Sequence, residues 1–273
     1  EGLAKHAAGL GTRCGAELLG AYVLTLTVGL NLVAKSPATA FSAAAALTCM
    51  IYSLGNISGA HLNPAVTLAV SLRGKCTAKD AVCYMLCQLF GGLLAGITSA
   101  FFQMNSAMAK MSIVLQPGKK YQVGQACAAE LLFTMILAYV VLTVATTDTP
   151  AEWKTKQNAY FGLAIGACVT VGGFASSAIS GGELNPAVSL GIYMGNVVNP
   201  GHAGVGLFSN FVLFALSEVL GGAMAAWVFR LTHGGSPAAA EAGGATKADA
   251  EAPSSTEASK TPAPAAGGDD DEF

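Results

Sequence analysis

The stretch 57–69 reads ISGAHLNPAVTLA, and the stretch 179–191 reads ISGGELNPAVSLG. The two align over thirteen positions, and each holds an intact Asn-Pro-Ala triplet, which begins at Asn63 in the first and at Asn185 in the second. One such triplet would be weak evidence, because asparagine and proline commonly stand together where a helix begins. Two copies in matching surroundings indicate an internal repeat, and the repeat predicts the architecture of the chain.

Shorter motifs flank the two stretches and repeat in the same order. Ala-Glu-Leu-Leu occurs at 16–19 and again at 129–132. Gln-Leu-Phe-Gly-Gly at 88–92 returns as Glu-Val-Leu-Gly-Gly at 218–222. Each half of the chain therefore contains the same three motifs in the same order. The similarity of the two Asn-Pro-Ala stretches is thus not a coincidence.

Six long apolar segments lie among these motifs, and the charged residues cluster at their ends. The segments run roughly over 14–33, 39–54, 78–102, 125–146, 159–174 and 206–231. Each approaches the length of about 20 residues that a transmembrane helix needs. Only 11% of the residues are charged, whereas soluble domains contain about 25% charged residues. We therefore predict an all-α protein that spans the membrane six times.

The repeat also fixes how the two halves, at about 13–105 and 121–231, are oriented. Each half contains three spans, and because three is an odd number, the second half enters the membrane inverted relative to the first. Proteins built from such inverted repeats place their functional site near the midplane, between the halves. The Asn-Pro-Ala segments are the candidates for that site, because each lies between the second and third spans of its half.

Each Asn-Pro-Ala triplet predicts the start of a short helix. Asparagine is favoured at the N-cap, and proline suits the first helical position, where no amide hydrogen is needed. The residues are Asn63, Pro64 and Ala65 in the first half and Asn185, Pro186 and Ala187 in the second. We expect the helices to end before Arg73 and before Gly195, and thus to be too short to cross the membrane.

Two such half-helices are predicted to enter from opposite faces and to meet at their N-termini. Backbone at membrane depth outside a spanning helix must be buried in protein or line a wet cavity. The positive ends of the helix dipoles would repel cations and protons, while the amides of Asn63 and Asn185 donate hydrogen bonds to an uncharged solute. The predicted fold is thus six transmembrane helices plus two re-entrant half-helices in an inverted 3+3 repeat, with a pore between them.

Four further polar residues lie within or beside the predicted spans. Glu17 and Glu130 occupy the first and fourth spans, where a carboxylate is costly and usually functional or paired. We predict that both are structural brackets that accept hydrogen bonds from the loop near a half-helix; a proton relay is the alternative. His61 is predicted to pack in the loop rather than to gate, and Glu183 to be turned away from the pore and paired rather than to touch solute.

The ends of the chain and its charges predict domain boundaries and orientation. We expect a cytosolic N-terminal segment at 1–12, a channel domain at 13–231 and a disordered cytosolic tail at 232–273 that ends in four acidic residues. Eight cations are expected on one side, and four on the other. The eight are Lys5, Arg13, Arg73, Lys75, Lys79, Lys154, Lys156 and Arg230, and the four are Lys35, Lys110, Lys119 and Lys120. This asymmetry predicts that both termini lie in the cytosol.

Nothing in the sequence indicates an enzyme, a metal site, a cofactor or a nucleic-acid partner. The seven cysteines have no paired spacing, and Cys49, Cys83, Cys87 and Cys168 lie inside apolar segments, which favours packing roles. No nucleophile with a base, phosphate loop or metal-ligand spacing occurs. The net charge is −2, without a basic stripe.

The repeated stretches and their flanking motifs resemble those of the aquaporins, or major intrinsic proteins, over about 13–231. The resemblance implies six tilted helices, two half-helices and assembly in the lipid bilayer as a homotetramer in which every subunit has its own pore. Asn63 and Asn185 match the paired pore asparagines of that family.

The resemblance also implies a narrow outer selectivity filter, whose four positions fall on Ala43, Gly173, Gly182 and Val188. Strict water channels of the family typically have an aromatic residue, a His and an Arg there, and here Val188 replaces the Arg. The implied filter is wide and apolar, so that glycerol, urea, ammonia or hydrogen peroxide would pass with water. A register shift of one residue in the fifth span would instead place Phe174 in the filter.

Asn-Pro-Ala-Val in the second half is similar to the plant tonoplast intrinsic proteins, although their frequent His is absent at Ala43. This likeness favours a vacuolar or other internal membrane, and a plasma-membrane location stays open. Three other functions also stay open. They are a strictly water-selective aquaporin, a secondary transporter that works by alternating access, since such transporters also use inverted repeats and broken helices, and an adhesive or junctional membrane protein with a vestigial pore.

Overall fold

The computed structural model describes residues 8–104, 109–110, 113–147 and 160–234. Eight helices and no strand occur in these ranges. The helices are α1 Leu10–Val33, α2 Thr39–Ser58, α3 Pro64–Leu72, α4 Ala78–Met104, α5 Val123–Ala145, α6 Phe161–Ser176, α7 Pro186–Val198 and α8 Phe208–His233. The predicted fold class is confirmed, with α3 and α7 as the two half-helices. The predicted segment 1–12 is described only from residue 8, and the predicted tail only up to residue 234.

Five helices are long and apolar enough to cross a membrane, namely α1, α2, α4, α5 and α8. The remaining predicted span, α6, has 16 residues, which is about 24 Å of helix. It begins at Phe161, two residues after 148–159, which lie outside the described ranges. The predicted bounds are within about two residues of the observed ones except at two places: α1 begins four residues earlier, at Leu10, and α2 runs four residues further, to Ser58.

The end of the second half-helix differs from the prediction. α7 continues through Gly195 to Val198, for 13 residues, whereas α3 has 9. A methyl group at Gly195 would lie 3.3 Å from the carbonyl oxygen of Gly96 on α4. The glycine therefore permits close helix packing here and does not end the helix, because tertiary contact outweighs its low helix propensity.

Each half-helix packs against the other half of the molecule. α3 contacts α8, and α7 contacts α4, while α1 packs on α4 and α5 packs on α8 within the halves. α2 and α6 also contact each other across the halves. The inverted repeat is thus interlocked, since neither half-helix has its full set of neighbours without the opposite half.

Repeated glycines allow these helices to touch backbone to backbone. A methyl group at Gly91 would lie 2.5 Å from the carbonyl oxygen of Leu18, and one at Gly221 would lie 2.5 Å from that of Leu131. These four residues occupy matching places in the two halves. The agreement shows that the repeat in sequence is also a repeat in packing.

The arginines of the described chain meet at one end of the bundle. Arg13 forms an ion pair with Asp80 at 2.8 Å. Arg73 lies over the ring of Phe229, 4.9 Å from its centroid, and Arg230 donates to the carbonyl oxygen of Leu72 at 2.8 Å. The starts of α1 and α4 and the ends of α3 and α8 therefore share this end.

Candidate functional site

Asn63 and Asn185 form the N-caps of the two half-helices. Oδ1 of Asn63 accepts a hydrogen bond from the backbone N–H of Ala65 at 2.8 Å, and Oδ1 of Asn185 accepts one from Ala187 N–H at 2.9 Å. Both asparagines are only 4% exposed. Pro64 and Pro186 follow at the first helical position of each helix. Each asparagine therefore has its oxygen committed to its own helix, which leaves the amide N–H groups to donate to other partners.

The two asparagines are joined crosswise. Nδ2 of Asn63 donates to the carbonyl oxygen of Leu184 at 2.8 Å, and Nδ2 of Asn185 donates to that of Leu62 at 3.0 Å. Both leucines have positive φ angles, 53° and 54°, in a region that non-glycine residues seldom adopt. This turn brings each carbonyl to the opposite asparagine. The sequence predicted donation to solute, but one N–H of each amide is used by the protein, and a side-chain amide has only one more.

Glu17 lies beneath the first Asn-Pro-Ala segment and is fully buried. Its Oε1 accepts hydrogen bonds from Ser58 Oγ at 2.6 Å and from His61 N–H at 3.0 Å. Its Oε2 accepts from Leu62 N–H at 2.7 Å and from Gln88 Nε2 at 2.7 Å. All four donors therefore converge on one carboxylate, next to the residue that precedes Asn63.

Glu130 holds the second loop in the corresponding way. Its Oε1 accepts from Gly182 N–H at 3.2 Å and Glu183 N–H at 3.3 Å, and its Oε2 accepts from Leu184 N–H at 2.8 Å. These contacts are the geometry that the bracket hypothesis requires. The hypothesis for Glu17 and Glu130 stays a prediction of function, which the experiment in the Discussion tests.

The two remaining polar residues of the loops have neighbours within the protein. Nδ1 of His61 lies 3.3 Å from Thr67 Oγ1, and its ring packs edge-on against Tyr84, with 5.4 Å between centroids. Glu183 donates its backbone N–H to Glu130, its Oε2 is buried without a hydrogen-bond partner, and the residue lines the cavity described next.

All four predicted filter residues lie around one cavity of about 450 Å³, between the α1–α2 loop and the start of α7. They are Ala43 on α2, Gly173 on α6, Gly182 in the loop before α7, and Val188 on α7. The cavity is mostly apolar, and the only charged residue among its described lining residues is Glu183. The structure thus brings the four positions together around a mostly apolar space. None of its described lining residues is a Lys, Arg or His.

Gly173 and its neighbour Phe174 both line this cavity. A methyl group at Gly173 would lie 2.9 Å from Cβ of Ala40, so the glycine is packed closely against α2. The ring of Phe174 packs edge-on against Phe41, with 5.1 Å between centroids. Phe174, which a register shift would have moved into the filter, therefore lines the cavity beside Gly173 and packs against α2.

Sequence reasoning assigned no function to Gln88, Glu218, Thr67 or Ser189, although these residues surround the half-helices. Gln88 donates to Thr67 Oγ1 at 2.8 Å, and Glu218 accepts from Ser189 Oγ at 2.8 Å. Gln88 and Glu218 begin the matched motifs at 88–92 and 218–222, and Thr67 and Ser189 hold matching places in the stretches 57–69 and 179–191. Motif comparison alone did not reveal that these residues point at the half-helices.

A bundle of apolar helices in which two capped half-helices meet at their N-termini defines a passive membrane channel. The family model of the major intrinsic proteins matches residues 9–229. The chain belongs to this family, whose members are channels for water and small solutes and not enzymes. Among the described residues, no cluster of His, Cys, Asp or Glu could hold a metal ion.

Curated relatives support the same family. "Probable aquaporin AqpM" of Archaeoglobus fulgidus is 31% identical over 68% of this chain and 72% of that protein. "Glycerol uptake facilitator protein-like 6" of Lactiplantibacillus plantarum is 30% identical over 79% of this chain and 95% of that protein. The X-ray structure of the aquaglyceroporin from Plasmodium falciparum has the same fold, with a TM-score of 0.67 and 20% identity over 81% of this chain and 96% of that one. The narrower likeness to the tonoplast proteins stays an expectation.

Proposed function

We propose that the channel conducts water together with small neutral solutes such as glycerol, urea, ammonia or hydrogen peroxide. One observation carries this proposal: Ala43, Gly173, Gly182 and Val188 line one cavity, and none of them has an aromatic or charged side chain. A filter made of such residues excludes larger solutes poorly, and it lacks a fixed cation. The similarity to a protein named as a glycerol uptake facilitator supports the inclusion of polyols.

In this proposal, ions and protons are excluded at the half-helices and not at the filter. The positive ends of α3 and α7 meet where Asn63 and Asn185 lie, which raises the energy of a cation there. One N–H of each asparagine remains for a solute oxygen after the crosswise bonds are made. A passing molecule can therefore exchange hydrogen bonds with these amides in single file.

Substitution of Val188 by arginine tests the wide filter. The longer, charged side chain would enter the cavity and narrow it, so we expect glycerol permeability to fall about tenfold or more, a barrier increase of at least roughly 1.4 kcal/mol. Water permeability should change much less, because a water molecule still passes a narrower opening. The measurement is light scattering of proteoliposomes that swell or shrink in glycerol and in an impermeant osmolyte.

Val188→Ile is the matched control, since it keeps an apolar side chain of similar shape and should leave glycerol entry nearly unchanged. Equal glycerol entry in Val188→Arg and wild type would show that Val188 is not in the filter. A wild-type protein that conducts water and no glycerol would favour the strictly water-selective aquaporin. Flux that saturates with solute concentration would favour a secondary transporter, because alternating access needs a bound substrate in each cycle.

The membrane arrangement completes the proposal. Large apolar side chains such as Phe41, Phe101, Trp227 and Leu231 are exposed along the helices, which suits contact with lipid or with other subunits of a homotetramer. The end that holds Arg13, Arg73 and Arg230 is assigned to the cytosol, with both termini. We place the channel domain at 13–231, with the segment 1–12 before it and the tail 232–273 after it, in an internal membrane such as the vacuole or in the plasma membrane.

A further inference from the structure

The second half of the molecule contains three carboxyl groups near the second Asn-Pro-Ala segment, of which Glu130 and Glu218 are fully buried and Glu183 is half-buried. Glu130 accepts the loop N–H groups described above, one of which belongs to Glu183, and Glu218 accepts the backbone N–H of Asn185 in the same loop. Glu218 is fully buried, and it lies ten residues into α8, about 15 Å along the helix. Three carboxyl groups therefore belong to or bind the loop 182–185, near the middle of the bilayer, whose hydrocarbon core is about 30 Å thick.

None of these three residues forms an ion pair with Lys, Arg or His within the part of the chain that the structure describes. The ion pair found there joins Arg13 to Asp80, at the end of the bundle. Adjacent carboxylates without a cation would repel each other strongly in a buried site. At least one carboxyl group of the set must therefore be neutral for the fold to persist.

Comparison with the first half of the molecule indicates which of the three carboxyl groups is neutral. Gln88 and Glu218 occupy the same place in the repeated motif, and Nε2 of Gln88 donates a hydrogen bond to Glu17 at 2.7 Å. In the second half, Glu130 corresponds to Glu17, and Glu218 stands where the donor should be. A carboxyl group can be a donor only when it is protonated.

The hydrogen-bond partners of Glu218 agree with this assignment. Its Oε1 accepts hydrogen bonds from Asn185 N–H at 3.1 Å and from Ser189 Oγ at 2.8 Å. Its Oε2 is buried and has no partner when the group is treated only as an acceptor. Oε2 of Glu183 is in the same condition, but only Glu218 occupies the place of the donor Gln88 in the repeat. A proton on Oε2 that is donated to Glu130 satisfies that oxygen and removes one negative charge at the same time.

We propose that Glu218 carries a proton at neutral pH and donates it in a hydrogen bond to Glu130, and that in this form it is a positioning residue for the second pore asparagine. Its acceptor oxygen holds the backbone of Asn185 and the hydroxyl of Ser189, while its donor oxygen ties α8 to the carboxylate that holds residues 182–184. The inference rests on the proposed function only in that Asn185 is a pore residue. The protonation of Glu218 itself does not depend on which solutes the channel conducts.

Infrared spectroscopy of the full-length protein in lipid tests the proton directly. At about pH 7.5 exposed Asp and Glu side chains are ionised, so a carbonyl stretching band of a protonated carboxylic acid reports a buried one. We expect this band in the wild type and a loss of intensity in Glu218→Gln, with no change in Asp80→Asn. A wild-type spectrum without the band, or an unchanged band in Glu218→Gln, would overturn the proposal.

Two further variants separate positioning from general packing. Glu218→Gln keeps an acceptor toward Asn185 and a donor toward Glu130, so it should retain water permeability, whereas Glu218→Leu should lose it or fail to fold. Loss of permeability in folded Glu218→Gln would contradict the assigned donor.

Gln88→Glu places in the first half the residue that the second half has at Glu218. The infrared spectrum of this variant should gain intensity in the band of protonated carboxylic acids; a folded protein without that gain would also contradict the proposal. The infrared result needs no transport, so it stands or fails separately from the proposed solute range.

Discussion

Replacement of Gly92 by alanine is expected to prevent the channel from folding or to destabilise it severely. A methyl group at Gly92 on α4 would overlap the carbonyl oxygen of Ala187 on α7, which is backbone and cannot move aside as a side chain can. Overpacking of a rigid interior typically costs about 1–3 kcal/mol, and more where the backbone must shift. Gly222→Ala should fail in the same way, because a methyl group there would overlap the carbonyl oxygen of Ala65 on α3.

The control is Gly15→Ala, which also lies inside a helix but has no atom within 4 Å of the added methyl group. Alanine should be neutral or slightly favourable there, because it has the higher helix propensity. The measurements are the yield of monodisperse protein in detergent and the midpoint of thermal unfolding. A midpoint for Gly92→Ala within about 3 °C of that for Gly15→Ala would correspond to roughly 1 kcal/mol or less, and it would mean that the half-helix is not held by this contact.

These glycines show where sequence reasoning succeeds and where it stops. The matched pairs at 91–92 and 221–222 were visible as landmarks, and small residues in apolar spans predict close helix contact. The partners were not predictable, because Gly92 touches a residue of the opposite half. A repeat predicts equivalent positions, but it does not say which half supplies the neighbour of each position.

The half-helices also have features that the sequence predicts and contacts between the halves that it does not. Their N-caps and first prolines could be predicted from Asn63 and Asn185, since capping depends on residues that are adjacent in sequence. The crosswise bonds to Leu62 and Leu184 depend on the docked halves and on two unusual backbone angles. The end of α7 was wrongly predicted for a related reason, because Gly195 serves a contact with α4 that only the assembled bundle reveals.

Substitution of Glu17 by glutamine should lower both the stability of the protein and its water permeability, although the two side chains have nearly the same shape. Each oxygen of Glu17 accepts two hydrogen bonds. Glutamine has only one acceptor oxygen, and its NH₂ group would face donors in either orientation. At least one backbone N–H, that of His61 or Leu62, would lose its partner.

A buried donor without a partner costs about 1–3 kcal/mol, and hydrogen bonds to a charged acceptor are about twice as strong as those to a neutral one. We therefore expect a loss of roughly 3 kcal/mol or more in the free energy of unfolding. Permeability should fall with it, because Leu62 supplies the carbonyl oxygen that holds Asn185. A disturbance at Glu17 thus reaches the pore asparagine of the opposite half through a single residue, Leu62.

Asp80→Asn is the matched control, since it also converts an acid to an amide between α1 and α4 and breaks an ion pair with Arg13. That pair lies at the end of the bundle, away from the half-helices, with side chains 14% and 18% exposed, so we expect its loss to cost about 1 kcal/mol, well below the loss at Glu17. Thermal unfolding and stopped-flow shrinkage of proteoliposomes with equal protein content provide the comparison. If Glu17→Gln had the same unfolding midpoint and water permeability as Asp80→Asn, the hydrogen bonds to the Glu17 carboxylate would not stabilise the loop. The loop that carries Asn63 would then be held by its helix cap and its packing alone.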